Sequence, residues 1–336
     1  MSTYDQKTEH NKKDGADTSR IDAASDILRS LSFDSLSRLE GKWLDISKDG
    51  ELIFKDIDCQ TSKVESAIRS SDDVNDIARN ILHKVSIADD NLFREPPPKE
   101  DCPICMLPMP YENGICGVKK SYQSCCGKIV CYGCMKASEE KMIKGKMKWL
   151  CLLCREPLPR TNQEMKKKLI KRVEINDAEA IFNLAAHYRF GNKGFPKNIK
   201  KALKLFNQAA ELGSCWAHHA LSNIYHEGEG VEKDTEKALH HTRLAALRGH
   251  EIARHNLGAD EGEKSMNGCI HYHARRAIKH YMIAARSGND HSLKVLGKWY
   301  KKGFVTKAEY ASTLRAYQVC CDEMKSAQRT NASKEE

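Results

Sequence analysis

Ala209-Ala210-Glu211-Leu212-Gly213 is a stretch that recurs, with changes in its fourth and third residues, as Ala245-Ala246-Leu247-Arg248-Gly249 and as Ala284-Ala285-Arg286-Ser287-Gly288. The three glycines follow one another at intervals of 36 and 39 residues. A period of this length is typical of helical repeat proteins. Paired alanines let neighbouring helices approach closely, and glycine accepts the left-handed conformation in which many helices end. The stretch therefore predicts a mainly α fold built from helix pairs.

Other positions keep the same period across residues 176–326. They are Ala202, Ala238 and Ala277, and Tyr188-x-x-Gly191 against Tyr225-x-x-Gly228. The pattern resembles Sel1-like repeats, which are related to the tetratricopeptide repeat. That resemblance implies units of two helices stacked into a right-handed superhelical solenoid, whose concave face holds a protein substrate and whose fourth unit is a terminal cap. In the third unit we expect an atypically long loop over residues 259–272.

Cysteine is concentrated in one part of the chain. Nine of the 14 cysteines lie between Cys102 and Cys154, and they include C-x2-C pairs at 102/105, 131/134 and 151/154. The N-terminal residues have no apolar segment of the kind that directs secretion, so we expect a reducing compartment, where such a cluster indicates metal ligands rather than disulfides. Because four thiolates make one tetrahedral zinc site, the array predicts two zinc ions.

The array resembles an all-cysteine variant of the RING-type zinc finger. In that family the first and third ligand pairs hold one ion, and the second and fourth pairs hold the other. The resemblance assigns the first zinc to Cys102, Cys105, Cys131 and Cys134. It assigns the second zinc to Cys151 and Cys154 together with two cysteines of the middle segment, for which we favour Cys125 and Cys126.

The middle pair departs from the commonest RING pattern. Histidine usually supplies one ligand there, but Lys128 stands where C-G-H-x-x-C would place it, and an ammonium group has no lone pair to give. All-cysteine variants have four residues between their fourth and fifth ligands, and Cys126 to Cys131 fits that spacing. The third ligand is then Cys125 or Cys116. We favour Cys125 because it lies on the same turn as its partner.

The RING resemblance also implies a function. In that family the module binds a ubiquitin-conjugating enzyme and primes its thioester-linked ubiquitin for transfer, with no nucleophile of its own. Ile104 matches the family's apolar contact to the conjugating enzyme, and Arg155 matches the arginine that bridges that enzyme and ubiquitin. Leu152 replaces the usual proline. The resemblance thus implies an adaptor-type ubiquitin ligase, and the alternative is a non-catalytic interaction scaffold with a structural zinc module.

The remaining segments are assigned from composition and local pattern. Residues 1–98 carry a net charge of −6 and are predicted to be partly disordered, although helical spacing occurs at 21–31 and 74–82. Between those two segments, short strands at 43–46 and 52–54 flank a predicted hairpin turn. Residues 161–175 are predicted to form a connecting helix with a capping box at Thr161, and residues 327–336 a disordered tail.

Charge and hydropathy limit the partners. Residues 99–160 carry a net charge of +5 and residues 161–336 one of +10, and no apolar run approaches the roughly 20 residues of a membrane-spanning helix. The aromatic residues of the repeats fall at helix-packing positions, which argues against a nucleic-acid surface. We therefore expect a cytoplasmic or nuclear protein with a RING-type module at 99–160 and a solenoid at 176–326.

Overall fold

The computed structural model describes residues 42–46, 52–56, 91–110, 118–267 and 270–332, the first two stretches by their backbone alone. The chain divides into two compact units, residues 1–93 with 262–275 and residues 94–261 with 276–336. The helices predicted at 21–31 and 74–82 lie outside the described residues, and so does Cys116. Among the helices that are described, none has both the length and the apolar character needed to cross a membrane.

The first unit contains a pair of short strands. β1 (Lys42–Ile46) pairs antiparallel with β2 (Leu52–Asp56), with Lys42 opposite Asp56 and Ile46 opposite Leu52. Five residues, 47–51, connect them. The two strands lie where the alternation around Lys48-Asp49-Gly50 predicts a hairpin.

In the second unit, the cysteine-rich segment forms a small sheet and one helix. β3 (Lys120–Gln123) pairs antiparallel with β4 (Lys128–Cys131), and α1 (Tyr132–Lys144) follows β4 directly. Isolated β-bridges join Asp101 to Pro108 and Leu150 to Pro157. We call residues 99–160 the cysteine module.

Helix pairs follow the cysteine module. Their bounds are α2 (Asn162–Glu174), α3 (Ala178–Phe190), α4 (Ile199–Glu211), α5 (Cys215–Glu227), α6 (Thr235–Leu247), α7 (Glu251–Asn267), α8 (Ile270–Arg286), α9 (Asp290–Lys301), α10 (Lys307–Met324) and α11 (Ala327–Ala332). The mainly α solenoid that the repeated stretch predicts is confirmed.

Local signals in the sequence fix where the repeat helices begin and end. A side-chain oxygen of each N-cap residue accepts a hydrogen bond from a backbone N–H of the first turn. The N-cap residues of α3 to α6 are Asp177, Asn198, Ser214 and Asp234. α3 and α5 both end at a glycine in the left-handed conformation, Gly191 with φ 66° and Gly228 with φ 73°. These two glycines are the ones in the repeated Tyr-x-x-Gly pattern.

Small residues allow the first two helix pairs to pack closely. The alanines buried in their common core are Ala185, Ala202, Ala209, Ala210, Ala217 and Ala220. They surround the large buried side chains of Phe206, Leu221 and Ile224. Small side chains beside large ones allow the helices of this core to pack closely.

α2 packs on the first helix pair. Leu169 is fully buried in a cluster with Leu184 and Phe195. The hydroxyl of Thr161 caps the helix by accepting a hydrogen bond from the Glu164 N–H at 3.1 Å. The Glu164 carboxylate accepts from the N–H of Arg160 at 2.8 Å rather than from that of Thr161, so the predicted capping box is only half formed.

The third helix pair differs from the expectation of a long loop over 259–272. α7 continues to Asn267 and α8 begins at Ile270, so most of that segment is helical. The guanidinium of Arg276 on α8 donates to the Glu261 carboxylate on α7 at 2.9 Å, and both side chains are buried. This charge-assisted hydrogen bond stabilises the polar helical turn around Glu261, and the local sequence does not reveal it because Arg276 lies on the next helix.

The C-terminal segment also differs from expectation. Residues 327–332, predicted as part of a disordered tail, form the helix α11, which packs against α1 of the cysteine module. Arg329 and Ala332 are buried in this contact. The helix is ordered by its tertiary packing, because six residues are too few for a helix that is stable alone.

Candidate metal centres

Four cysteines of the module form the first candidate site. The sulfur atoms of Cys102, Cys105, Cys131 and Cys134 all lie within 4.8 Å of one another. Cys131 ends β4 and is the N-cap residue of α1. The end of the strand and the first turn of the helix therefore bring the sulfurs of Cys131 and Cys134 to the same site. The backbone N–H groups of Cys131 and Cys134 point at sulfur, to Cys102 and Cys131 respectively, at 3.4 Å each.

Four other cysteines form the second candidate site. They are Cys125, Cys126, Cys151 and Cys154, whose sulfur atoms likewise lie within 4.8 Å of one another. Cys125 and Cys126 stand in the turn between β3 and β4, and Cys151 and Cys154 in the turn closed by the bridge from Leu150 to Pro157. The first and third cysteine pairs along the chain therefore meet at one site, and the second and fourth pairs meet at the other.

The two sites are built on the same kind of turn. In each, an isolated bridge brackets a C-x2-C segment, and the residue after the second cysteine has positive φ, 55° at Met106 and 63° at Arg155. The Met106 N–H donates to the Cys102 carbonyl at 2.8 Å, and the Arg155 N–H donates to the Cys151 carbonyl at 3.1 Å. Backbone strain at a non-glycine residue persists where the surrounding structure fixes it, and here it accompanies the clustering of thiols.

The spacing between sulfur atoms fits a zinc ion at each site. Four sulfurs at the Zn–S distance of about 2.3 Å in a tetrahedron lie about 3.8 Å apart. The Cys105 and Cys131 sulfurs are 3.8 Å apart in the first site, and the Cys126 and Cys151 sulfurs 3.9 Å apart in the second. A set of four thiolates is also the donor set of structural zinc sites, which leave no coordination position open for a substrate. The two clusters can therefore bind metal ions.

Burial distinguishes the two sites. In the first, Cys102, Cys131 and Cys134 are buried and Cys105 is half-buried. In the second, only Cys151 is buried, Cys125 and Cys126 are half-buried, and Cys154 is exposed. The second site therefore faces solvent and the first does not.

The eight cysteines assigned from the RING resemblance all fall into these two groups, in the pairing it implies. Cys125 lies in the second group, and its rival Cys116 is outside the described residues, so only one of the two alternatives is placed. Lys128, at the position usual for histidine, is exposed at the start of β4. The identity of the metal as zinc stays a prediction.

The two residues assigned to a conjugating enzyme stand on the metal-site turns. Ile104 is 39% exposed on the first turn, and Arg155 is exposed on the second. Leu152, inside the second C-x2-C pair, is 37% exposed. All three side chains are therefore accessible to a protein partner.

A polar network that the sequence did not suggest joins the cysteine module to the repeats. The hydroxyl of Tyr122 on β3 donates to the carboxylate of Asp177, the N-cap residue of α3, at 2.9 Å. Arg172 of α2 donates to the same carboxylate from Nη2 at 2.6 Å. Burial opposes ionisation of Asp177, but the hydrogen bonds from Arg172, the Ala180 N–H and Tyr122 outweigh it and hold the pKa of Asp177 below its ordinary value.

The module meets the repeats again at α5 and near α9. The ammonium of Lys120 lies 4.0 Å from the ring centroid of Trp216, a cation–π contact. Lys99 donates to the backbone carbonyl of Ser287 at 2.7 Å. A cavity of about 620 Å³ lies beside the contact of Lys120 with Trp216, and residues of both the module and the repeats, Glu179 among them, line it. Burial raises the pKa of Glu179, whose carboxylate accepts a hydrogen bond from the Ser214 hydroxyl at 3.2 Å.

Comparison with known proteins supports the repeat assignment. The sequence model of the family described as "Sel1 repeat" matches residues 178–214 and 217–250. No RING family matches the cysteine module.

Several curated proteins are similar to part of the chain. Cytochrome c oxidase assembly factor 7A of Xenopus laevis is 41% identical over 68 residues, which are 20% of this chain and 29% of that protein. Chitin synthase regulatory factor 2 of Schizosaccharomyces pombe is 30% identical over 129 residues, 36% of this chain and 25% of that protein. The chain thus spans less than a third of the length of these relatives.

Solved structures of repeat proteins are also similar. A Sel1 repeat protein from Oxalobacter formigenes has 24% identity and a TM-score of 0.41, over 60% of this chain and 75% of that one. The uropathogenic Escherichia coli antigen c5321 has 20% identity and a TM-score of 0.40, over 60% and 48% of the two chains. The family match at 178–214 and 217–250 coincides with the pairs α3–α4 and α5–α6, so these two helix pairs are Sel1 repeats.

Proposed function

We propose that this chain is a non-catalytic protein-interaction scaffold in which a module holding two zinc ions braces the Sel1 repeats. The observation that carries the proposal is that the cysteine module contacts the repeats at or beside three separate turns. We call the turns between one helix pair and the next the inter-repeat turns. They are residues 175–177, 212–214, 248–250 and 287–289.

The module contacts the repeats at or beside the first, second and fourth of these turns. Tyr122 reaches Asp177 in the first, and Lys120 lies over Trp216 just after the second. Lys99 reaches Ser287 in the fourth. A single contact of this kind is worth about 1 kcal/mol, but several at separate points hold two bodies in one orientation. The module is therefore expected to stiffen the stack of helix pairs rather than to move against it.

The chemistry of the metal sites favours a structural role. Each zinc would have four thiolate ligands, so no position remains for a water or substrate and the ion supplies folding free energy rather than Lewis-acid chemistry. Cys102, Cys105, Cys131 and Cys134 would hold one ion. Cys125, Cys126, Cys151 and Cys154 would hold the other. Sel1 repeats serve protein–protein contact, and similar curated proteins are described as assembly and regulatory factors.

Hydrogen exchange on the full chain tests the brace. Purified protein should contain two zinc ions, and removing them with a strong chelator should reduce protection at the N-termini of α3 and α5 while the middle of each helix stays protected. Tyr122→Phe should reproduce the loss at α3 alone. Tyr132→Phe, a matched change in the same module but away from Asp177, should leave α3 unchanged. Unaltered protection at both helix starts after zinc removal would overturn the brace.

A ubiquitin ligase is the second candidate, and it is favoured by the cysteine pairing order and the exposure of Ile104 and Arg155 on the two turns. Single-turnover discharge of ubiquitin from a broad panel of conjugating enzymes separates the two functions. The scaffold predicts no acceleration by the full chain. Acceleration that Ile104→Ala abolishes, and that the exposed control Met147→Ala retains, would establish the ligase instead.

A further inference from the structure

The helix α11 lies directly on the first metal site. A Cβ built on Gly133, in the first turn of α1, would lie 2.8 Å from the backbone of Arg329, so glycine is what allows the two helices to come this close. The side-chain oxygen of Gln328 lies 3.8 Å from the Cys134 sulfur. The last described helix of the chain is therefore packed against ligands that lie about 200 residues earlier in sequence.

Arg329 is 5% exposed and uses its guanidinium on the metal-site turn. Nη2 donates to the Cys105 sulfur at 3.4 Å and to the Leu107 carbonyl at 3.0 Å. Nη1 donates to the Pro108 carbonyl at 2.8 Å and to the Met324 carbonyl at 2.7 Å. One side chain thus ties the turn of the first site to the end of α10.

Arg329 carries a positive charge that would balance the negative charge of a zinc ion bound by four thiolates. A Zn²⁺ ion with four thiolates carries a net charge of −2, and burying that charge is unfavourable unless a cation or hydrogen-bond donors compensate it. Arginine is suited to the task because its guanidinium is always charged, is weakly hydrated and presents five donors in a fixed plane. Residues that donate to metal ligands in this way typically change metal affinity by roughly 10- to 100-fold.

The second site has no such partner in the part of the chain that the structure describes. Its sulfurs contact one another, as at 3.9 Å between Cys126 and Cys151, and no arginine or lysine side chain there donates to them. Cys154 is exposed, so solvent screens the charge of that site instead. The two sites have the same ligands but different surroundings.

We propose that Arg329 is the charge-compensating residue of the first metal site and that it makes the first zinc exchange more slowly than the second. The proposal rests on the proposed function in one respect, which is that two zinc ions are bound. Arg329 touches no metal and acts through the Cys105 sulfur and the turn that follows it. Zinc is held firmly where α11 covers the module and is exchangeable at the site that faces solvent.

Zinc release to an excess of the chromogenic chelator 4-(2-pyridylazo)resorcinol tests this with the full chain. Two phases of equal amplitude are expected, and Cys154→Ser should remove the fast one. Arg329→Gln should accelerate the slow phase by roughly 10- to 100-fold and leave the fast phase unchanged. Arg329→Lys should be intermediate, because it keeps the charge but cannot make all four hydrogen bonds. Lys325→Gln, an exposed cation paired with Asp322, is the matched control and should change neither phase.

Three outcomes separate the possible failures. Fewer than two zinc ions in the wild-type protein would overturn the metal assignment itself. Two zinc ions with a slow phase that Arg329→Gln leaves unchanged would overturn the role of Arg329 alone. If Arg329→Gln is purified with a single zinc, alkylation of its free thiols decides the matter: modification at Cys102, Cys105, Cys131 and Cys134 supports the proposal, and modification at the other four contradicts it.

Discussion

The cysteine module and the Sel1 repeats fold by different means within one compact unit. The buried cluster of the module has Cys102, Cys131 and Cys134 among its few members, and Met324 of α10 also packs into it. The core of the first two helix pairs is made of alanines and of Ile181, Phe206, Leu221 and Ile224. On the proposed function, a short segment with so little apolar material would depend on bound metal for its folding, whereas the repeats obtain stability from contact between neighbouring units.

The two regions should therefore be sensitive to different kinds of change. Removal of a metal or a ligand should act on the module and reach the repeats only at their shared contacts. Changes in side-chain volume should act on the repeats and leave the metal sites loaded.

The largest effect should come from removing zinc. Binding of a structural zinc ion contributes about 10–16 kcal/mol of apparent free energy in small zinc-dependent peptides, so the module should lose its ordered structure. The middle of each helix from α3 to α6 should remain folded. Circular dichroism together with hydrogen exchange, before and after a strong chelator, checks both parts. Loss of all helical signal with the metal would show that the repeats have no stability of their own.

The next effect is a cavity in the repeats. Phe206→Ala removes a side chain that is 1% exposed and packs beside Phe182, and it should lower the free energy of unfolding by about 3–5 kcal/mol. Zinc content should stay at the wild-type value, because Phe206 is not part of the cysteine module. Denaturant unfolding and metal analysis of the same sample test the two statements. A variant that is destabilised and also loses zinc would contradict the separation.

Acid should weaken the repeats through a histidine pair. Nδ1 of His218 lies 3.1 Å from Nδ1 of His241, and burial first, with help from neighbouring cations such as Arg248 for His218, lowers the pKa of each ring to about 4. In the unfolded chain a histidine has a pKa of about 6.5. Below that value the unfolded state takes up protons that the folded state does not, so stability is lost as pH falls from about 6.5 toward 4.

The expected loss between pH 7 and pH 5 is roughly 1 kcal/mol for each histidine, and so roughly 2 kcal/mol for the pair, after allowance for solvent screening. Thermal unfolding of wild type and of His241→Gln at the two pH values measures it. The wild-type decrease should be larger than that of the variant. Equal decreases in both proteins would mean that other groups dominate the pH dependence.

The smallest effect is expected at a helix end. Gly228 has φ 73°, and an alanine there should cost about 1–2 kcal/mol because its Cβ disfavours that conformation. Lys302 occupies the corresponding end of α9 in the right-handed conformation, so Lys302→Ala is the matched control and should change stability by less than about 0.5 kcal/mol. Thermal unfolding compares the pair. Equal effects would show that the left-handed cap is not what limits the substitution.

Much of the fold could be predicted because its signals are local. The repeated alanines and glycines fix helix packing and helix ends, and both recur with one period along the chain. The grouping of cysteines could also be predicted, since C-x2-C turns present two sulfurs to one ion whatever surrounds them. Neither inference needed knowledge of distant contacts.

The misjudged segments depend on distant contacts. Around Glu261 the sequence is polar enough to suggest a loop, and its helix is stabilised by Arg276, which is 15 residues away. The segment after residue 326 has a sequence that suggests disorder, because its helix is stabilised by packing on α1. Arg329 carries no signal in the sequence, since its role depends on a thiol 224 residues earlier. Local propensity could not have revealed any of these three.

The position of Arg329 in the chain has a consequence for biosynthesis. All four ligands of the first site have been synthesised once Cys134 is added, yet 195 residues separate Cys134 from Arg329. At roughly 5–20 residues per second, the ribosome needs roughly 10–40 s to cover that distance. During this interval the nascent module can acquire its metal but lacks the helix that covers it. A chain that stops before Arg329, or whose repeats stack wrongly, keeps the first site uncovered, so closure of α11 over the module requires that the intervening repeats have been synthesised and correctly stacked.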